Sequence, residues 1–200
     1  MHKISQKQLK RAKQLLENDI VLAVPTETVY GLAVKLDNTA ATEKLLQIKG
    51  RQAQGDTKFL PLMVPDVSHI SQYAILSPLA LKIARRHFPG ALTMVLPKAP
   101  KFKHPYFDSI KNIGIRIPNH AFMLKLLELT GPLLVSSANL RNLSPCLSSA
   151  EVERTLSNSA VGAVVIGESG GDLPSTVISI VGAEIKVLRQ GSIIFPSKTH

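Results

Sequence analysis

The sequence is poor in several things at once, and each shortage excludes something. One cysteine, Cys146, stands in 200 residues. No intrachain disulfide can form, and no zinc site of paired cysteines can be assembled. Tryptophan is absent, and aromatic residues make up 4% of the chain. No apolar run approaches the roughly 18 residues that a membrane-crossing helix needs. The first residues, MHKISQKQLKRAKQ, are polar and basic without an apolar stretch, so they do not read as a secretory leader. The cytoplasm is the expected compartment. Acidic residues are also scarce: 14 Asp and Glu face 24 Lys and Arg, for a net charge of +10. That balance suits an anionic partner such as a nucleotide, polyphosphate or RNA, and it also suits a merely solvated basic surface. Several familiar site motifs are missing as well. There is no G-x-x-x-x-G-K-[ST] phosphate loop, no G-x-G-x-x-G, no H-E-x-x-H and no G-x-S-x-G. The glycine cluster GESGG at 167–171 reads as a loop.

What is present is a regular alternation of helix and strand signals. A helix opens near Ser5, with Leu9, Ala12, Leu15 and Leu16 on one face. Strands are expected at Ile20–Val24 and Gly31–Val34, and Asn38 caps a helix that ends at Gly50. A short strand at Leu60–Val64 precedes a helix started by Ser77-Pro78 and stopped at Pro89-Gly90. Leu92–Leu96 and Ile113–Ile117 read as strands. Asn119 caps the next helix, and Leu133–Ser136 is a buried strand. Ser148 with Glu151 forms a capping box, and β-rich segments follow at Gly162–Ile166, Thr176–Ile180 and Ile185–Leu188. The expected fold is a single α/β domain, core about 5–191 with a frayed tail, built on a twisted mixed sheet with flanking helices. A ligand is expected at the strand ends near Pro25, Val64, Ile117 and Ser136.

Four stretches place chemistry at such ends. VLAVPTETVYGLAV sets Thr26, Glu27, Thr28 and Tyr30 inside an otherwise apolar run. It reads either as a turn whose polar groups satisfy one another or as the wall of a binding site. KGRQAQGDTK puts Lys49 and Arg51 on neighbouring sides of a possible anion, although a helix C-terminus decorated with basic residues reads the same way. The 50–58 loop, with Gly50 and Gly55, has the make-up of a lid. PLLVSSANL ends a buried strand in Ser136, Ser137, Ala138 and Asn139, small enough for close backbone approach or for a self-satisfied turn. NIGIRIPNH turns Arg116 to the face opposite Ile113, Ile115 and Ile117, where it meets a partner, a ligand anion or solvent. Thr93, Ser175, Thr176 and Arg189 add polar groups that carry little alone. His120 and Cys146 read as structural.

Taken in order, PTETVYGLA, KGR, LPLMV, PGALTMVLP, IGIRIPNH, LLVSSANL, LPSTVISI and LRQG resemble the YrdC family of threonylcarbamoyl-AMP synthases from about Val21 to Gly191. The resemblance is to the short form with one domain. It implies a twisted α/β fold with a large basic cavity. It also implies a nucleotidyltransferase that makes threonylcarbamoyl-AMP and pyrophosphate from L-threonine, bicarbonate or CO2, and ATP. The product would serve N6-threonylcarbamoyl modification of adenosine 37 in tRNA, with tRNA and the transfer complex as possible partners and no membrane. The family's tetrad falls on Lys49, Arg51, Ser137 and Asn139, implied as catalytic. Threonine contacts would be Thr26 or Thr28, Tyr30, Arg116 and Ser175. Nucleotide contacts would be Lys49, Arg51, Asn112, Ser137, Asn139, Ser144 and Arg189. Mg2+ would accompany ATP, held mainly by phosphates, with no structural metal. The chain departs from the family at Leu140-Arg141-Asn142 and at Met63, where some relatives place histidine. A family paralogue that mainly binds RNA or nucleotide is the alternative.

Overall fold

The computed structural model describes residues 1–50, 60–182 and 184–195. Ten strands form one mixed sheet. In chain order they are β1 (His2–Ile4), β2 (Val21–Val24), β3 (Gly31–Lys35), β4 (Leu62–Met63) and β5 (Leu92–Pro97), then β6 (Asn112–Arg116), β7 (Leu133–Ser137), β8 (Val161–Val165), β9 (Thr176–Val181) and β10 (Glu184–Arg189). The sheet order is β1-β8-β2-β3-β7-β4-β6-β5-β9-β10. Five helices flank it: α1 (Leu9–Glu17), α2 (Thr39–Ile48), α3 (Pro78–His87), α4 (Ala121–Thr130) and α5 (Ser149–Leu156). Among the described residues no helix is long and apolar enough to cross a membrane.

The sheet divides two apolar cores. On one face Val21, Ala23, Leu32, Val34 and Leu134 pack with Leu45 and Leu46 of α2, Ala80 and Ala84 of α3, and Val152 and Leu156 of α5. On the other face Leu22, Val24, Ala33, Leu133, Val135 and Ala163 pack with α1 and α4. Burying α1's Leu15 and Leu16 against that face contributes about 2 kcal/mol each. Strand β2 is buried on both faces, which explains its unbroken aliphatic run.

Three helix starts agree with their sequence signals. Asn38 accepts from Ala41 N–H at 2.9 Å, Ser77 from Ala80 N–H at 3.2 Å, and Ser148 from Glu151 N–H at 3.2 Å. The Glu151 carboxylate reaches back to Leu147 N–H at 2.7 Å, one residue before the cap itself. Two starts are shifted. The first helix begins at Leu9 after Gln8, whose amide oxygen accepts from Ser5 N–H, because Ile4 is already committed to β1 beside β8. The cap of α4 is His120 rather than Asn119. Of Leu60–Val64, only Leu62 and Met63 pair as strand, lying between β6 and β7.

Period-two alternation decides where the open part of the sheet faces. Leu92, Met94 and Leu96 of β5, Ile113 and Ile115 of β6, and Ile178 and Ile180 of β9 enter the first core. Thr93, Val95, Arg116 and Val177 therefore project to the opposite face, the one that α1 and α4 cover farther along the sheet. Ser137 is in phase there with Leu133 and Val135.

Candidate functional site

A cavity of about 470 Å³ opens on this second face at the strand ends. Thr28, Arg116, Ser137, Ser175 and Arg189 supply polar lining. Met63, Val95, Val135, Val177 and Leu188 supply apolar walls. Among the described residues the lining contains two arginines and no carboxylate.

Arg116 anchors one corner. It is 6% exposed, and its Nη2 donates to Glu27 Oε1 and to Thr28 Oγ1, each at 2.8 Å. The hydroxyls beyond it run in one direction. Thr26 Oγ1 donates to the Val29 carbonyl at 2.7 Å and accepts Thr28 N–H at 3.1 Å. The 2.9 Å contact between the two threonine hydroxyls must then carry the Thr28 proton toward Thr26. Thr28 Oγ1 keeps an acceptor site after receiving Arg116. The stretch is thus both a self-satisfied turn and a cavity wall. Tyr30 contributes to the lining, but its hydroxyl points elsewhere and donates to the Val165 carbonyl at 2.9 Å. Burial pushes that phenol up to about 12, with the Glu168 charge adding a smaller upward push and a Ser149 hydrogen bond opposing both. Alternation along an extended chain would have put its hydroxyl beside those of Thr26 and Thr28. The turn and its backbone clamp, Tyr30 N–H to the Cys146 carbonyl and Ala138 N–H to the Tyr30 carbonyl, break that phase.

The opposite corner is built on β5, β9 and β10. Thr93 Oγ1 and Ser175 Oγ lie 2.9 Å apart. Arg189 grips the Ser175 carbonyl with Nε at 3.1 Å and Nη2 at 2.8 Å, and Nη2 also reaches Ser175 Oγ at 3.2 Å. Loss of solvent around the guanidinium lowers the Arg189 pKa, and the Arg116 charge lowers it further. Both guanidiniums border the same cavity, which suits it to an anion.

The sequence leaves Lys49 open between an anion partner and a basic residue decorating a helix end. At the end of α2 it is 5% exposed and outside the lining. Its Nζ donates to the Ser137 carbonyl at 3.0 Å, the Asn139 carbonyl at 2.8 Å and Asn139 Oδ1 at 2.6 Å. Ser137 Oγ donates to the same Oδ1 at 2.6 Å, and Asn139 Nδ2 donates to the Leu143 carbonyl at 2.6 Å. The lysine holds the small-residue turn that borders the cavity. Arg141, where the chain departs from the family pattern, donates to the Gly50 carbonyl at 3.1 Å and ties that turn to the end of α2. Gly50 there has φ +59°, a conformation that favours glycine.

Arg51 and most of the 50–58 loop lie outside the described residues. Asn112 opens β6 beside Pro97, away from the lining, and Ser144 is exposed and also away from it. Two contributors escaped the sequence reading. Val95, Val135 and Val177 form apolar walls of the cavity, hidden in runs that read as ordinary core. The 167–171 loop braces the site from behind: Gly170 N–H donates to the Thr26 carbonyl at 2.8 Å, and a Cβ at 170 would lie 2.9 Å from Glu27 Cα. Its signal was the doubled glycine. Among the described residues no group of three or more His, Cys, Asp or Glu is placed to hold a metal ion.

Residues 14–191 match the Sua5/YciO/YrdC family model, described as "Telomere recombination". The threonylcarbamoyl-AMP synthase of Bacillus subtilis is 33% identical over 189 residues, 93% of this chain and 54% of that protein. The enzyme of the same name from Vibrio parahaemolyticus is 33% identical over 181 residues, 88% of this chain and 95% of that one. The crystal structure of P. abyssi Sua5 complexed with L-threonine superposes with a TM-score of 0.83 at 27% identity, covering 95% of this chain and 56% of that one. The chain therefore spans about half the length of the Bacillus and P. abyssi proteins and nearly all of the Vibrio protein.

Proposed function

The chain belongs to the Sua5/YciO/YrdC family, and from that membership we propose that it makes threonylcarbamoyl-AMP and pyrophosphate from L-threonine, bicarbonate or CO2, and ATP. The observation that carries the reading is the Arg116 corner: a nearly buried guanidinium in a cavity whose lining, among the described residues, has no carboxylate, beside a hydroxyl with acceptor capacity left.

In this reading the threonine carboxylate pairs with Arg116, and Thr28 meets a polar group of the same molecule. The amine adds to CO2, losing protons, and gives a carbamate. A carbamate oxygen attacks the α-phosphorus of ATP, and the bond to the outer two phosphates breaks as pyrophosphate leaves. The nucleophile is already anionic, so the protein's work is alignment and charge neutralisation rather than proton abstraction from a hydroxyl. Arg189 and Ser137 border the nucleotide's space, and Ser175 is a threonine contact. Lys49 and Asn139 serve it by fixing the Ser137 turn, and Arg51 is the further tetrad cation. A Mg2+ carried by phosphates and water would offset phosphate charge. The product would pass to tRNA modification, and the cytoplasm, where ATP and tRNA meet, is the compartment this activity implies.

The test is one incubation of purified protein with ATP, L-threonine and bicarbonate. Threonine-dependent pyrophosphate release with an adenylate of the right mass is expected. Release that ignores threonine, or none, overturns the reading.

A further inference from the structure

In the corner built on β5, β9 and β10, Thr93 and Ser175 line the cavity with hydroxyls and are 2% and 3% exposed. Their oxygens lie 2.9 Å apart, and either can donate to the other. The mutual bond uses one of their two protons. Arg189 Nη2 takes one acceptor position on Ser175 Oγ. Among the described residues Thr93 Oγ1 has no further partner. Whichever hydroxyl donates, the pair keeps one proton and two acceptor positions for the cavity. An anionic oxygen needs donors alone, and an ammonium needs acceptors alone. A neutral hydroxyl needs both, and it matches what this pair offers.

The pair is also held in place. Thr93 belongs to β5, which is paired with β6 on one side and β9 on the other. Arg189 grips the Ser175 carbonyl, and a Cβ at Gly191 would stand 2.2 Å from the Pro174 carbonyl oxygen, so the backbone here has no slack. Partners already fixed lose little freedom on binding. Their position relative to Arg116 follows from register. Met94 pairs with Ile115, so Thr93 and Arg116 stand at the next position of the antiparallel ladder, on strands about 4.8 Å apart. Thr93 pairs with Val177 on its other side, and Val95 follows it on the same face.

We propose that Thr93 is a specificity-determining residue: with Ser175 it reads the β-hydroxyl of the amino acid, while Val95 and Val177 take the β-methyl. An α-amino acid whose carboxylate meets Arg116 carries its β-carbon two bonds away, within reach of the next strand. A site built to bond a hydroxyl rejects the analogue that lacks it, because its own polar groups are then stranded. L-Valine is that analogue, and L-allo-threonine carries the same groups with their places exchanged. This role rests on the threonine reading of the cavity and deepens it. The experiment measures KM for L-threonine and the inhibition constants of L-valine and L-allo-threonine against it, in wild type, Thr93→Val and Thr93→Ser. Thr93→Val keeps the shape and raises the threonine KM about tenfold, the loss of one hydrogen bond. The L-valine constant does not rise, and the preference for L-threonine over L-allo-threonine shrinks about tenfold. The KM for ATP stays within about twofold of wild type. Thr93→Ser keeps the hydroxyl and restores the preference over L-valine. Should Thr93→Val not fold, Thr93→Ala also lacks the hydroxyl and is read in the same way. Wild-type protein without threonine-dependent pyrophosphate release overturns the threonine reading and this role with it. With that release present, an unchanged threonine KM, a valine constant that rises equally, or an ATP KM that rises in step overturns the role of Thr93 alone.

Discussion

Two nearly buried cations flank this cavity, and they are used in opposite ways. Arg116 meets one carboxylate oxygen and one hydroxyl and keeps Nε without a partner. Among the described residues Lys49 presents its ammonium to three oxygens of Ser137 and Asn139, none of them a carboxylate. Both side chains are compatible with anion binding in the sequence. A guanidinium has five donors in a fixed fork, so some remain after it is anchored. An ammonium has three, and a tight carbonyl turn absorbs them. The difference teaches that a cation's spare donors, more than its charge, mark it as a ligand group.

The contrast is broken or sharpened most strongly at Arg116. Arg116→Leu leaves the half-buried Glu27 with its charge unpaired and should cost about 3 kcal/mol of stability. It should also abolish L-threonine binding, as calorimetry of the folded fraction and a thermal melt will register. Lys49→Met should cost about 2 kcal/mol through the loss of charged hydrogen bonds. It should lower threonylcarbamoyl-AMP formation by disturbing the Ser137 turn while L-threonine still binds. Abolished threonine binding in folded Lys49→Met protein would erase the distinction. Thr28→Val keeps shape and removes the hydroxyl between Arg116 and Thr26. A rise of about tenfold in the threonine KM, with ATP unaffected, is expected from steady-state kinetics.

Tyr30→Phe gives a smaller effect of another kind. It should cost about 1 kcal/mol, because the Val165 carbonyl loses its donor, without changing the threonine KM. It also changes the alkaline limb of stability. The folded phenol titrates near 12 against 10.0 unfolded, so its stabilising share is complete below pH 10 and disappears as pH rises toward 12. Denaturant melts of Tyr30→Phe should lack that share of the alkaline loss. Ser144→Ala, on an exposed residue away from the lining, should leave both kinetics and stability unchanged.

Local signals were legible where local physics decides. Asn38, Ser77 and Ser148 cap as their side chains dictate, and alternation along β6 correctly separated Arg116 from Ile113 and Ile115. What escaped depends on distant chain. Strand β1 is three residues long with only Ile4 buried, and its partner β8 lies about 160 residues away. The strand order could not be read from propensity. Lys49's direction is set by a turn some 90 residues downstream. Tyr30's hydroxyl leaves the side of Thr26 and Thr28 because a backbone clamp from Ala138 and Cys146, invisible in the local pattern, redirects it.

The far wall of the cavity comes from β9 and β10, which join the sheet through the parallel pairing of β5 with β9. During synthesis, β5 and β6 leave the ribosome well before β9 does. Until residue 176 and its successors emerge, β5 presents an unpaired edge, the kind of surface that recruits other chains. The cavity is thus completed only when nearly the whole described chain has been translated. A nascent fragment ending before β9 would have half a cavity and a sticky strand in place of a site.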